Sequence, residues 1–294
     1  MTETPDPAAQ DDVVAASADD APPAIAATPE PAPAKPENSV KSLLWLALFA
    51  WVLRSLVFAP FSIPSGSMLP NMEIGDYLFV AKWPYGFSRY SFPWQIPPVN
   101  GRLFEHLPKR GDIVVFRRPG DENTDVVKRV IGLPGDTVAV DNGVVLLNGK
   151  PLPRVALGLI AIPVTPNSEC RMIGPGTPRL GRADGAAACL YPAFRETLPD
   201  GTSYTVLDQL DSPQADHFAP QVIPDGDVFL MGDNRDDSLD SRFAPEDGGM
   251  GLVPTDHLVG RATIRFWSTD GSASWLNPIS WFTALRARRI GGTY

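Results

Sequence analysis

The run "SLLWLALFAWVLRSLVFAPF", residues 42 to 61, limits what this chain can become more than any other feature. Twenty residues rising about 1.5 Å each span roughly 30 Å, the hydrocarbon thickness of a bilayer. Arg54 is the one charge in the run and lies late enough to snorkel to an interface. Leu, Trp, Phe, Val and Ala occur around the whole circumference without a polar stripe, which favours a spanning helix over a buried core helix. Pro60 and Pro64 end it. One N-terminal transmembrane helix over 42–61 is therefore expected. Lys35 and Lys41 precede it, while Arg54, Lys82 and Arg89 lie towards or beyond its far end. Nearby basic residues thus favour the N-terminus inside only weakly, and charge leaves the orientation open.

Residues 1–41 are rich in Ala and Pro, lack aromatics, and hold eight acids and two lysines, or −6 of the formal −9 charge. Such a segment cannot bury enough apolar surface to offset its ordering entropy and reads as a disordered tail. It has no basic start followed by an apolar core, so it is not a signal peptide. The rest of the chain is near neutral and has no broad basic patch, which argues against a nucleic-acid partner.

Beyond residue 62 the pattern turns to short β-rich runs: "DYLFVAKW", "DIVVFRR", "DVVKRVIG", "DTVAVDNGVVLLNGK", "DVFLMGD" and "LVGRATIRFW". "DNG" at 141–143 marks a hairpin. The expected fold class is mainly β: an antiparallel β-sheet body over 62–150 and 225–275, preceded by the membrane helix. Residues 151–224 have many Pro and Gly, both cysteines and weaker strands, and read as an inserted subdomain. In the tail, 276–294, a short helix would gather Trp281, Phe282 and Leu285 near Arg286, Arg288 and Arg289. Two readings stand for it: a frayed solvated end, or interfacial contact with anionic lipid.

Overlapping the end of the membrane run is "APFSIPSGSMLPNMEIGD", residues 59–76, with Ser62, Ser65 and Ser67 on a stiff loop. A serine is a weak nucleophile without a base. His106, His217 and His257 lie in no triad context and read as structural, and no pattern of metal ligands is present. Lysine is the other base, provided burial lowers its pKa by penalising the charged form. Lys128 in "DVVKRVIGLPGD" suits this, since strand alternation puts it on one face with Val126 and Val130, and Arg129 on the other with Val127 and Ile131. By itself a strand lysine is more often a surface residue. A third stretch, "FLMGDNRDDSLDSRF" at 229–243, runs from an apolar strand into a loop of acids, arginines and Ser238, suited either to brace a site or to solvate a turn.

Together "PSGSM" (64–68), "VVKRVIGLPGD" (126–136) and "GDNRDDSLDSR" (232–242) resemble the type I signal peptidases, or leader peptidases, in order as well as content. "GDYLFVAKWPYG" at 75–86 and "RGDIVVF" at 110–116 extend the resemblance over roughly 45–154 and 225–267. It implies a serine endopeptidase without metal or cofactor, anchored in the bacterial inner membrane with its N-terminus cytoplasmic and its β body periplasmic. Ser67 becomes the nucleophile and Lys128 the general base. The Ser65 hydroxyl and the Ser67 backbone N–H form the oxyanion hole. Ser238 hydrogen-bonds the Lys128 amine, Asp240 and Arg242 pair, and Asp233, Asn234 and Arg235 shape the loop. Phe61, Ile63, Pro64, Met68, Met72, Val126 and Val127 line the substrate pockets.

The expected partners are signal peptides of exported preproteins, cut after small-x-small sites, the lipid bilayer and the translocation machinery. Asn71, Met72 and Val126 depart from the usual Thr, Leu and aromatic residue, and one span stands where the best-known members have two. Given the implied topology, Cys170 and Cys189 suit a disulfide better than two buried free thiols. Two alternatives stand beside this reading. An inactive membrane-tethered scaffold of the same fold is disfavoured by the intact Ser67 and Lys128. A self-cleaving SOS-type repressor is disfavoured because no DNA-binding helix-turn-helix precedes the body.

Overall fold

The computed structural model describes residues 39–171, 174, 178–274 and 276–294. The acidic tail expected to be disordered lies outside the described residues as far as residue 38. Helix α1 spans Ser39–Leu56, 18 residues or about 27 Å. Its apolar side chains, Leu43, Trp45 and Phe49 among them, are exposed on the chain itself, an arrangement suited to lipid. The helix stops short of the 42–61 run expected from sequence. Phe58–Ser62 instead form strand β1, antiparallel to β2 (Asp76–Ala81), with Ala59 opposite Val80 and Phe61 opposite Leu78. Apolar content serves a helix in lipid and a strand on a sheet equally well. Pro60 decides for the strand, because an edge strand tolerates a missing N–H that a helix interior does not.

The body continues with β3 (Ile113–Arg118), β4 (Asp121–Gly132), β5 (Thr137–Asp141) and β6 (Val144–Leu147). Then come β7 (Arg154–Pro163), β8 (Arg179–Ala183), β9 (Ala186–Thr197), β10 (Ser203–Leu207) and β11 (Phe218–Val222). Strands β12 (Asp227–Met231), β13 (Val253–Pro254) and β14 (Leu258–Ser268) follow, and a short helix α2 (Pro278–Thr283) opens the tail. The main sheet has the order β1-β2-β14-β3-β4-β12-β13, antiparallel throughout. The mainly β, antiparallel body and the one long apolar helix among the described residues are those expected from sequence. The DNG turn joins β5 and β6 as a two-residue hairpin, with Asn142 and Gly143 both at positive φ.

Residues 151–224 are not a region of weak strands. β7, β9, β8 and β10 form their own antiparallel sheet, while β11 joins β5 in a second sheet. A shared core of Ile131, Val138, Val145, Val206 and Phe229 fastens these sheets to the main one. A second core, with Ile63, Met68, Met72, Leu78, Val80 and Val115, lies beneath the serine loop. Cys170 and Cys189 are joined by a disulfide.

The tail is neither frayed nor free to offer all its arginines to lipid. Arg286 reaches Glu73 at 2.6 Å and Arg289 reaches Asp76 at 2.7 Å. Asp76 is fully buried, and burial alone would oppose its charge. Hydrogen bonds from Arg289, the Glu73 N–H and Ser268 outweigh that and hold its carboxyl below the ordinary value. Arg289→Ala removes one of these partners but leaves Arg265 and Ser268. It is expected to cost about 1–3 kcal/mol, read as a fall of roughly 3–10 °C in the thermal midpoint in detergent.

Candidate active site

The loop from Ser62 to Asp76 is closed at its base by hydrogen bonds between Ile63 and the Gly75–Asp76 backbone, at 2.8 and 3.0 Å. Met68 and Met72 are sunk in the core on either side of a helical turn, which fixes the exit direction of Ser67. Opposite stands β4, held between β3 and β12, with Lys128 facing Val114 in register. Lys128 Nζ lies 2.5 Å from Ser67 Oγ, and the lysine is 3% exposed. Desolvation lowers its pKa to about 8, with Arg242 pushing the same way and Asp240 and Asp233 only partly opposing.

Asp240 is the carboxylate that acts most strongly on the lysine, and its charge is already engaged. Arg242 holds both of its oxygens at 2.9 Å, while the Gly232 N–H and the Ser238 hydroxyl also donate to Oδ2. The Ser238 hydroxyl thus bonds Asp240, at 2.8 Å, and not the Lys128 amine as the sequence led us to expect. Two residues apart in a tight loop, Ser238 and Asp240 meet more readily than either meets a strand lysine.

Asp233 and Asn234 clamp the serine loop. The Asn234 N–H donates to the Ser67 carbonyl at 3.0 Å, and its side-chain amide donates to the Gly66 carbonyl at 3.1 Å. Asp233 accepts two bonds from Arg129, at 2.8 and 2.7 Å, and one from Asn71, at 2.7 Å. Asn71 also donates to the Thr205 carbonyl, so this departure from the usual Thr ties the serine loop to β10.

Three residues not singled out from sequence complete the brace, all from the 151–224 segment. Glu196 takes a bidentate pair from Arg235, at 2.6 and 3.0 Å, and a hydrogen bond from the Tyr204 hydroxyl at 2.6 Å. The Tyr204 ring packs under the Arg129 guanidinium, and the Gln209 amide donates to Asn234 Oδ1 at 2.9 Å. Glu196 had one legible signal: it alternates with Phe194 and Leu198, so a carboxylate falls on an inward face. Tyr204 and Gln209 had none.

A groove of about 580 Å³ opens beside Ser67, walled by Phe61, Ile63, Pro64, Met68, Val126 and Val127, with Ser65 at its edge. Met72, expected in this wall, is instead fully buried in the core. β1 lies at the end of the main sheet, leaving an unpaired strand edge along the groove. His257 lies 3.0 Å from the Arg117 carbonyl, and His106 and His217 are on the surface. Among the described residues, Asp208, Asp216 and Asp236 bring carboxylate oxygens within 4.8 Å of one another, but Arg154 already pairs with Asp208.

A hydroxyl beside a dry amine, on the wall of a groove with a free strand edge, is equipped for acyl transfer on an extended peptide. The model of the signal peptidase, peptidase S26 family matches residues 37–267. Signal peptidase I of Rickettsia typhi (strain ATCC VR-144 / Wilmington) is 32% identical over 266 residues, covering 85% of this chain and 90% of its own length. That of Rickettsia akari (strain Hartford) is also 32% identical with the same coverage. A solved signal peptidase I from Enterococcus faecalis aligns over 53% of this chain and 97% of its own at 24% identity, with a TM-score of 0.27, too loose to bear on the fold. The chain belongs to the signal peptidase, peptidase S26 family.

The brace makes one stability prediction. Glu196→Gln leaves the Arg235 guanidinium buried without its counter-charge and should cost about 3–5 kcal/mol. Replacing Glu196 and Arg235 together by Met should cost less than the single change, a comparison that thermal unfolding in detergent reads directly.

Proposed function

We propose that this protein is a membrane-anchored serine endopeptidase that removes signal peptides from exported preproteins through a Ser67–Lys128 dyad. The observation that carries this reading is the 2.5 Å approach of a 3%-exposed Lys128 amine to Ser67 Oγ. In the neutral state the amine offers its lone pair to the serine hydroxyl. As Oγ attacks the scissile carbonyl, Nζ takes the proton and later delivers it to the leaving amine. Water then hydrolyses the acyl-enzyme with the same lysine as base. The Ser65 hydroxyl and the Ser67 N–H stabilise the oxyanion, a role in which one donor is typically worth about 3 kcal/mol.

The substrate lies as an added strand along β1, its small side chains against Phe61, Ile63, Met68, Val126 and Val127. Signal peptides carry an apolar core followed within a few residues by a small-x-small site. Such a site emerges where Ser67 stands, eleven residues past the end of α1. We place the β body on the extracytoplasmic face of the bacterial inner membrane, near the translocation machinery, with the N-terminus cytoplasmic. The Cys170–Cys189 disulfide supports an oxidising compartment.

Ser67→Ala and Lys128→Ala should each abolish cleavage of a preprotein in detergent, with an unchanged circular dichroism spectrum; cleavage surviving either change rejects the assignment. The pH profile is a second test. The neutral base is lost as pH falls through about 8, so kcat/KM should drop tenfold per unit below that value and level off above it. A profile flat from pH 6 to 9 excludes the lysine as base.

A further inference from the structure

The groove has two chemically different ends. Near Ser67 its wall is apolar. Further along, where β1 leads back to α1, the lining becomes Arg54, Lys82, Arg117 and Asp125, three cations against one carboxylate. Asp125 lies 3.2 Å from Arg117 Nε. Lys82 is 4% exposed and donates to the Ser91 carbonyl, and among the described residues it forms no ion pair. Burial, reinforced by Arg54 and only partly opposed by Asp125, lowers its pKa to about 8. A buried ammonium with two unengaged protons on a groove wall is short of an anionic partner.

We infer that this end of the groove is a subsite for an acidic side chain on the acyl side of the substrate, with Lys82 as its principal contact. The inference rests on the peptidase reading above and deepens it. Direction follows from the chain: α1 is the lipid end, and a signal peptide's apolar core precedes its cleavage site. Substrate residues before the scissile bond therefore run from Ser67 back towards α1. Asp125 stands three residues from Lys128 along β4, roughly 10 Å. The charged lining thus meets about the fourth to sixth residue before the scissile bond. A lipid phosphate is the other anion available near the bilayer, but Lys82 is buried in the groove wall and not on the outer surface.

The test uses the full chain in neutral detergent at low salt and pH 7. Peptides with an Ala-x-Ala site carry Glu, Gln or Lys at the fourth, fifth or sixth position before the scissile bond. At one of these positions Glu is expected to exceed Lys in kcat/KM by about tenfold or more, with Gln between and the difference in KM. Lys82→Met should collapse the Glu-to-Lys ratio to about threefold or less. The ratio does not depend on how much of the variant folds, and Arg117→Gln should narrow it independently. Equal rates for the three peptides at every position, or a ratio unchanged in Lys82→Met, overturn the subsite. So does a preference that emerges only when anionic lipid is added, which assigns the cations to lipid. Failure to cleave any peptide, or cleavage by Ser67→Ala, sinks the peptidase reading instead.

Discussion

The arrangement depends on one energetic conflict: an amine that water would keep charged is held where charge is expensive. Lys128 sits in the middle of the main sheet, almost without solvent, against the hydroxyl of Ser67. Removing it from water disfavours the ammonium. That effect would be cancelled if a carboxylate were free to pair with it. Asp240 is close enough to matter, but two Arg242 contacts, the Gly232 N–H and Ser238 already use its oxygens. Asp240 still favours the protonated lysine, but Arg242 beside it pushes the other way, so the pair only partly offsets the desolvation, in addition to stiffening a loop.

Holding the serine in place falls to a different set of residues. The backbone of Asn234 and its amide grip the carbonyls of Ser67 and Gly66, while Asp233 gathers Arg129 and Asn71. These contacts are in turn fixed by Glu196, Tyr204 and Gln209 from the sheet between residues 151 and 224. Buried charge is tolerated here because each charge meets a counter-charge, Arg129 with Asp233 and Arg235 with Glu196, although Arg235 Nε and Gln209 Oε1 are left without hydrogen-bond partners. The segment thus packs behind the site, and its contribution there is mechanical.

One residue separates a helix suited to lipid from an edge strand of the main sheet. At about 27 Å, α1 comes close to the hydrocarbon thickness of a bilayer, and the groove begins directly beyond it. The tail returns to the same region, where Arg286 and Arg289 close over Glu73 and Asp76 at the foot of the serine loop.

The sequence by itself determined the elements whose causes are local. Alternation gave strands, the apolar run gave a lipid-suited helix, "DNG" gave a hairpin, and three short motifs marked the residues that the fold gathers. Each rests on neighbours a few positions apart. Tertiary structure alone decided what depends on distant partners. It set the residues after Leu56 in register with β2, a pairing that Pro60 permits but does not specify. It turned Ser238 to Asp240, sank Met72 into the core, and folded the arginine-rich tail back onto buried acids. It also enlisted Glu196, Tyr204 and Gln209, whose value lies in contacts with Arg235, Arg129 and Asn234, each 25 or more positions away. Burial sets the lysine's charge, and burial is a property of the packed chain that no short stretch of sequence contains.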